Sequence, residues 1–403
     1  MIRAHKIRIY PNKEQEVYLK KSCGVSRFTY NWGLAKWKEL HEAGEKNGWM
    51  ELNKLFNSVK ENEFIFVTEV SSDVPTSALS DLGTAFKNFF RELKKSKVCY
   101  PKFKKKGQRD SFYIKNASGK IIGKELYLPK IKTAFKCAEE LRFTGKIMSY
   151  TISRDVDRWY VSVAVDTDEK IERLLDAGTT GIDLGVKTLA TFSDGTVFET
   201  KRFYKLAEKR LARAQRRLAK KVKGSNNRAK TKLKLAKIHR KVRLARKDYL
   251  HQVSHFATTR YTTVVLEDLN VSGMVKNRRL AKAVSNMGFY TFRTMVENKA
   301  KMTDTKVVFA DRFYPSSKLC SNCGHKKDIL KLSERVYKCE SCGFEKDRDL
   351  NAAINLEKLG TCCPDVKPAE TDSLELSMKQ ETLSSSLNNL NQGLQGMERL
   401  NGV

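Results

Sequence analysis

Hydrophobic and polar positions divide the chain into stretches of different period. Residues 2–10 alternate loosely and stop at Pro11, the pattern of a short strand closed by a turn. From about residue 12 to 93, apolar residues recur at steps of three and four. The stripe is clearest at Leu79, Leu82, Phe86, Phe89, Phe90 and Leu93, and predicts several amphipathic helices. Beyond residue 100 the period falls back to two. Residues 112–114 and 121–128 read as strands, and residues 148–153 followed by the strict alternation Trp159, Val161, Val163, Val165 predict a hairpin. A strand, then helices, then strands again is the order of one β module interrupted by a helical insertion.

The second half changes pattern again. Residues 181–200, GIDLGVKTLATFSDGTVFET, read as strand, strand, a tight turn at Ser193, Asp194 and Gly195, and strand. Residues 263–266 form a short apolar run with the look of a fully buried central strand. Between them, Leu211, Ala214, Leu218 and Val222 make one helical stripe. Leu235, Ile238, Val242 and Ala245 make another, with a turn at residues 224–227.

Charge turns this helical pair into a candidate interface. The 403-residue chain has 78 Lys+Arg against 46 Asp+Glu, a net charge of +32. Residues 201–247 hold 21 of those cations and a single acid, Glu208. A merely solvated helix face interleaves Glu with Lys at four-residue steps. One sign alone points to phosphate, with Arg213, Arg217 and Lys220 as candidate contacts on one exposed face. A second basic stretch, Lys102, Lys104, Lys105 and Lys106 beside Tyr100 and Phe103, reads as phosphate or stacking contacts or as a solvated loop. A length of 403 residues suggests two to four domains. No uncharged apolar run approaches the roughly 18 residues of a spanning helix. The amino terminus, broken by charge every few residues, lacks the apolar core of a secretory signal. These features exclude a membrane protein and predict a cytoplasmic one. From residue 364 the chain is mildly acidic and rich in Ser, Asn, Gln and Leu, the composition of a poorly ordered tail.

Nine cysteines, with Cys23, Cys99 and Cys137 scattered, do not make a disulfide framework. Four of them make another pattern. Cys320 and Cys323, then Cys339 and Cys342, form two C-x-x-C pairs separated by fifteen residues. This is the spacing of a tetrahedral Zn2+ site in which each pair forms a knuckle, with Gly324 and Gly343 following where the turn needs a small residue. A closed four-thiolate site has no open position and is structural. His325 is surplus to four ligands.

Three acids sit in apolar surroundings. Asp183 lies in mid-strand between Ile182 and Leu184, Glu267 ends the run at 263–266, and Asp349 opens an Ala-rich helical pattern. Singly, each has a plain reading: a turn acid, a surface acid at a strand end, a helix cap. Together with a polyanion-binding surface they suggest a divalent-metal site, since Mg2+ takes a few carboxylates and leaves room for water and phosphate oxygens. Asp268 and Asp347 compete as neighbours of the second and third acids, and alternation in a strand buried on both faces does not choose between Glu267 and Asp268.

GIDLGVKTLATFSDG, VVLEDLNVSGM, FYPSSKLCSNCG and CGFEKDRDLNAAINL, in this order, resemble the successive signatures of the TnpB family. These are transposon-encoded RNA-guided nucleases related to type V CRISPR effectors. KIRIYPNKEQEVYL and the FTYNW stretch beginning at Phe28 resemble that family's opening, so the likeness spans about residues 1–360. The resemblance implies an α/β multidomain chain. Residues 1–10 and 97–172 would form a wedge-like β module interrupted by a helical recognition module at 11–96. An RNase H-like (RuvC) nuclease domain would take 173–312 and 347–360, with 201–247 as its basic hairpin. A zinc module at 313–346 would split it, and the tail 361–403 lies beyond the likeness.

The resemblance also implies a catalytic, Mg2+-binding triad of Asp183, Glu267 and Asp349. The family's Glu-Asp-Leu order favours Glu267 over Asp268, and the acid before x-Asn-Ala-Ala is Asp349 rather than Asp347. The implied activity is hydrolysis of DNA with two Mg2+ ions, or Mn2+ in their place, at double-stranded target DNA chosen by a guide RNA next to a short adjacent motif. A rival of another class, a non-cleaving RNA-guided DNA-binding protein of repressor type, would be marked by loss of a carboxylate, and all three are present. A transposase joining DNA ends would need a tyrosine nucleophile with paired histidines. Of six histidines only His251 and His255 are helically spaced, and they read as packing and surface residues.

Overall fold

The loose alternation at the start becomes β1 (Ile2–Tyr10), and Asn12 then starts α1 (Lys13–Glu42) as a capping box with Gln15, each side chain bonding the other's backbone. In the computed structural model, which describes residues 1–362 except 46–47, 95–99, 170, 202 and 332, two further helices follow, α2 (Trp49–Glu63) and α3 (Asp73–Leu93). The strands then resume as β2 (Ser111–Lys115), β3 (Lys120–Ile122), β4 (Glu125–Tyr127), β5 (Phe135–Cys137), β6 (Lys146–Asp155) and β7 (Arg158–Asp166). β1 lies between β7 and β5 in a seven-stranded antiparallel sheet of order β2-β6-β7-β1-β5-β4-β3. One core joins this sheet to α1–α3, from Ile7, Val161 and Val163 on strands to Leu19, Phe56 and Leu79 on helices. Phe90, at the edge of the α3 stripe, is 48% exposed and stacks on Phe86 instead of entering that core.

A second sheet begins with β8 (Thr179–Asp183), β9 (Thr188–Phe192) and β10 (Val197–Glu199), an antiparallel meander. The basic helices come next, α4 (Phe203–Ala219) and α5 (Asn226–Arg260), followed by β11 (Thr263–Glu267), α6 (Val271–Lys276), α7 (Arg278–Met287), α8 (Phe289–Thr303) and β12 (Lys306–Ala310). The sheet order is β10-β9-β8-β11-β12, with β11 parallel to both β8 and β12. α5 and α8 cover one face through Leu250, Val253, Phe292 and Val296. The short hairpin β13 (Val336–Lys338) and β14 (Glu345–Asp347) leads into α9 (Arg348–Cys362), which covers the other face through Leu356. The tail, from residue 363 on, lies outside the described residues.

Two expectations about the basic hairpin need correction. α5 does not stop at 247 but runs to Arg260, because its last turns carry Leu250, Val253 and Ala257 into the sheet core. Val222 is not part of a packed stripe: it lies past the end of α4 and is 76% exposed. The cations of α5 also serve the fold. Asp155 and Asp157, on either side of Val156 in the β6–β7 turn, grip it. Arg240, itself buried, donates to the Asp155 carbonyl at 2.9 Å and Asp157 Oδ1 at 2.6 Å. Lys237 and Arg243 pair with Asp157 and Asp155. The Lys237 hydrogen bond, with those from Arg240, holds Asp157 down to about 2 against partial burial. Val156 has φ of +63°, costly for a β-branched residue, and the surrounding ion pairs hold it there.

Candidate active site and nucleic-acid face

Gly181 explains how the carboxylates meet. A Cβ there would lie 2.0 Å from the Ala353 carbonyl of α9, so only glycine lets that helix settle on β8. Ala352 and Ala353 are the matching small residues on the helix side, both fully buried. In a strand, residues two apart share a face. Asp183 therefore shares the α9 face with Gly181, and Asp349 stands in the first turn of α9. β11 runs parallel to β8 with Leu266 beside Ile182, which sets Glu267 beside Asp183 at the same ends of neighbouring strands. Asp183 is thus the last residue of its strand, not a mid-strand acid, and the two carboxylates project where the sheet ends.

Electrostatics records the convergence. Burial, then the charges of Glu267 and Asp349, push the Asp183 carboxyl well above its ordinary range, and the opposing Arg348 is outweighed. Glu267 is also raised by burial, although the Ser316 hydroxyl donates to its Oε1. Asp349 Oδ1 accepts from the Arg348 guanidinium at 3.2 Å. No set of one oxygen from each acid lies within 4.8 Å; among the described residues only the four cysteines gather donors that closely. The donor set suits a hard divalent cation: oxygen ligands only, two of them half-buried and raised, Asp183 by desolvation and by the neighbouring acids and Glu267 by desolvation, a penalty that a cation relieves.

The competing acids are occupied elsewhere. Asp268 is one residue on from Glu267 and so projects to the opposite side of the strand path, where it pairs with Arg293 and Arg312, each at 2.6 Å. Partial burial raises its pKa, but the hydrogen bonds from Arg312 and Arg293 outweigh this and hold it below the ordinary range. Asp347, not Asp349, caps α9, accepting from the backbone of Asp349 at 3.0 Å and Leu350 at 3.1 Å.

The four cysteines form two knuckles. The Gly324 amide donates to the Cys320 carbonyl and the Gly343 amide to that of Cys339, and both glycines have positive φ, +77° and +67°. Sγ of Cys320 lies 3.7 Å from Cys342, and Sγ of Cys323 lies 3.6 Å from Cys339. A tetrahedron with Zn–S of about 2.3 Å has an edge of about 3.8 Å, so the thiols fit a structural Zn2+. Fully buried Tyr337 is the small core of this segment, its hydroxyl donating to the Lys318 carbonyl. The segment is tied to α9 by two buried asparagines. Asn351 donates to the Leu319 carbonyl and accepts from the Ser321 amide, while Asn355 donates to the carbonyls of Ser316 and Leu319, both at 2.8 Å.

A family described as a probable transposase, the IS605 OrfB family, matches residues 161–278, a Cas12f1-like TNB domain matches 289–356, and the IS605 OrfB helix-turn-helix domain matches 1–46. "Putative RNA-guided DNA endonuclease InsQ" of Escherichia coli K12 is 31% identical, over 89% of this chain and 92% of its own length. A Streptomyces pristinaespiralis protein, likewise named a putative RNA-guided DNA endonuclease, is 34% identical over 94% and 96%. The chain belongs to the TnpB family. Its fold resembles Cas12f1 from a complex with single-guide RNA and target DNA, at a TM-score of 0.53 and 14% identity, over 89% of this chain and 98% of that one. The segment matched as helix-turn-helix folds here as β1 and one long helix.

In this TnpB-family chain the basic residues sort into two kinds. Arg213 and Arg217 on α4 and Lys220 just past its end are exposed, with no side-chain hydrogen bond or ion pair among the described residues. Lys102, Lys105 and Lys106 are exposed as well. Lys104 is different: its ammonium lies 4.0 Å over the Tyr30 ring and 3.6 Å from Asp81, and Asn31 holds its backbone, so it packs the loop onto α1. Arg228 belongs to the fold too, donating to the Leu218 and Lys221 carbonyls at the end of α4. His251 and His255 stay on α5, where the His251 carbonyl and Ser254 hydroxyl take the ammonium of Lys299. Sequence reasoning missed Ser316, Asn351 and Asn355. The visible signal was two asparagines four apart on an otherwise apolar helix face. Among the described residues, no helix is long and apolar enough to cross a membrane.

Proposed function

We propose that the chain is an RNA-guided DNA endonuclease that hydrolyses target DNA at Asp183, Glu267 and Asp349. The observation that carries this reading is the pairing of Asp183 and Glu267 at the ends of adjacent parallel strands, with Asp349 on the helix crossing the same face. The order β10-β9-β8-β11-β12, in which β11 and β12 run parallel to β8, is that expected of an RNase H-like (RuvC) domain. It supports assigning 173–312 and 347–360 to that domain, with the zinc module at 313–346 inserted. The antiparallel sheet would be the wedge-like module and α1–α3 the recognition module.

Asp183, Glu267 and Asp349 would hold Mg2+, or Mn2+ in its place, which would supply positive charge at the scissile phosphate and lower the pKa of a bound water. The chain's own residues set up the site. Ser316 fixes one oxygen of Glu267, and Arg348 holds Asp349. Asp268 keeps Arg293 and Arg312 beside Glu267, in a cavity of about 280 Å³ that Glu267 also lines. The exposed cations of α4 and of the loop at 102–106 would hold guide RNA and target backbone. Co-expression with the transcript flanking the gene, sequencing of the RNA that copurifies, and incubation with matching duplex DNA and Mg2+ test the reading. Cutting by the wild type and binding without cutting by Asp183→Ala are expected. A wild-type complex that binds its target without cutting, or a chain that retains no RNA, would overturn it.

A further inference from the structure

A cavity of about 430 Å³ is not lined by any of the three acids. Its walls come from α4, α5, α7 and the segments flanking β9 and β10, and α5 and α7 both pack on the sheet face opposite α9. The lining has two parts. Val186, Phe203 and Met287, with the half-buried ring of Tyr204, make an apolar floor. Around it stand Lys201, Lys205, Arg246, Arg279 and Lys282, against the single acid Glu208.

Several of these cations are already committed. Lys201 lies over the Tyr249 ring, Arg246 donates to the Ser285 carbonyl, and Lys282 bridges Glu208 at 2.6 Å while lying over the Tyr204 ring. Lys205 and Arg279 are exposed and have no side-chain partner among the described residues. An apolar lining that includes the aromatic residues Phe203 and Tyr204, beside unpaired cations, is complementary to an aromatic base joined to phosphate. The volume falls at the lower end of ligand pockets, which run about 300–1,000 Å³, and suits one nucleotide rather than a helix.

We propose that this cavity receives one unpaired nucleotide of single-stranded RNA, its base on the Phe203–Tyr204 floor and its phosphate at Lys205 and Arg279. Glu208 selects RNA. A carboxylate repels phosphate but accepts from a ribose 2′-hydroxyl. One Glu208 oxygen is taken by Lys282 and the other remains for that donor, with the Thr200 hydroxyl and Asn286 amide in the same wall. The proposal rests on the reading of the chain as an RNA-binding protein and adds where a single base is held.

The test uses the full chain and short oligouridylate of about a dozen nucleotides carrying 4-thiouridine. Ultraviolet crosslinking should join it to the peptide containing Tyr204. Tyr204→Ala should weaken binding about tenfold, the order expected from loss of one base-stacking contact, whereas Tyr204→Phe should bind like the wild type. Oligodeoxythymidylate should bind more weakly than oligouridylate. If Tyr204→Ala fails to fold, Lys205→Gln with Arg279→Gln, both at exposed positions, should still lower the crosslink yield at Tyr204. Crosslinks that avoid the cavity walls, unchanged binding by folded Tyr204→Ala, or equal binding of the deoxy strand would overturn the proposal. No cleavage enters this assay, so a wild type that cuts guided DNA yet gives no crosslink here sinks the pocket and leaves the nuclease reading standing.

Discussion

The four thiols and the three carboxylates are both proposed as ligand sets, yet the chain builds them in opposite ways. Each thiol pair is turned by its own knuckle, with a carbonyl taken by a glycine amide four residues on, and the two knuckles meet within the single stretch 320–342, where sulfur atoms of opposite pairs lie 3.6 and 3.7 Å apart. The carboxylates come from β8, β11 and α9, and their spacing depends on a whole sheet and on the absence of a side chain at Gly181. A site closed by local turns survives as a module. A site closed by tertiary packing carries like charges that the fold must hold together, and Asp183 registers that cost in its raised pKa. The two sites also touch: Ser316, at the head of the cysteine segment, donates to Glu267.

The largest effect separates chemistry from binding. Asp183→Ala, Glu267→Ala and Asp349→Ala should each slow guided DNA cleavage about a thousandfold, roughly 4 kcal/mol of transition-state stabilisation, with RNA and target binding nearly intact in gel-shift titrations. Asp347→Ala, which removes only the α9 cap, should cost about 1 kcal/mol of stability and leave cutting within a few-fold. If Asp347→Ala stopped cleavage and Asp349→Ala did not, the third member would be Asp347.

Next in size is the thiol site. Metal analysis of the wild type should find about one tightly held zinc per chain, and Cys339→Ser should lose it. The cysteine segment has little core beyond Tyr337, so without the metal it should become open to protease while α1–α3 and the antiparallel sheet stay resistant. Because Ser316 reaches Glu267 from this segment, cleavage should fall with zinc content although all three acids remain. Full activity in a zinc-free variant would show the two sites to be independent.

What the sequence made legible follows the same division. Knuckle spacing is local, so Cys320, Cys323, Cys339 and Cys342 could be read directly from it. Strand and helix periods were likewise readable over most of Ile2 to Val165, since burial on one face leaves a repeat in the residues, but the three-residue β5 is too short to leave one. The choice of Glu267 over Asp268 was not readable from alternation, because Val264, Val265 and Leu266 are buried on both faces and hide which side faces α9. The structure separates the two acids by their partners, Ser316 for one and Arg293 with Arg312 for the other. Nor could charge alone divide the basic hairpin. Arg240 and Arg217 look alike in sequence, but one is buried against Asp157 and the other is exposed, a difference set by the distant β6–β7 turn.

A smaller effect tests the joint between the sites. Asn355→Ala removes two buried donations, to the carbonyls of Ser316 and Leu319, and leaves both acceptors without that partner. The expected cost is about 1–3 kcal/mol, read as a lowered melting temperature in calorimetry. Asn351→Ala should cost a similar amount. A neutral result for both would mean that the cysteine segment is not held by α9.

The smallest effect has the opposite sign, and it sharpens the comparison most. Asp183 has a pKa raised by burial and by Glu267 and Asp349, so the folded chain holds this proton more tightly than the unfolded chain, where an aspartate titrates near about 3.9. Its contribution to stability is therefore fully present below about pH 4 and is lost as pH rises through the raised value. An asparagine in its place carries no charge at any pH. In chelator at neutral pH, Asp183→Asn should melt roughly 2 to 4 °C above the wild type, and the gap should close as pH falls toward about 4. Added Mg2+ should raise the melting temperature of the wild type and have little effect on Asp183→Asn, because a cation relieves repulsion only where the carboxylate is present. No such reversal should occur at the thiols, where Cys339→Ser lowers stability under all these conditions. A variant that melts below the wild type at neutral pH would mean that Asp183 is stabilised by Arg348 more than it is destabilised by its acidic neighbours, and the carboxylate end would then not be a site held under charge repulsion.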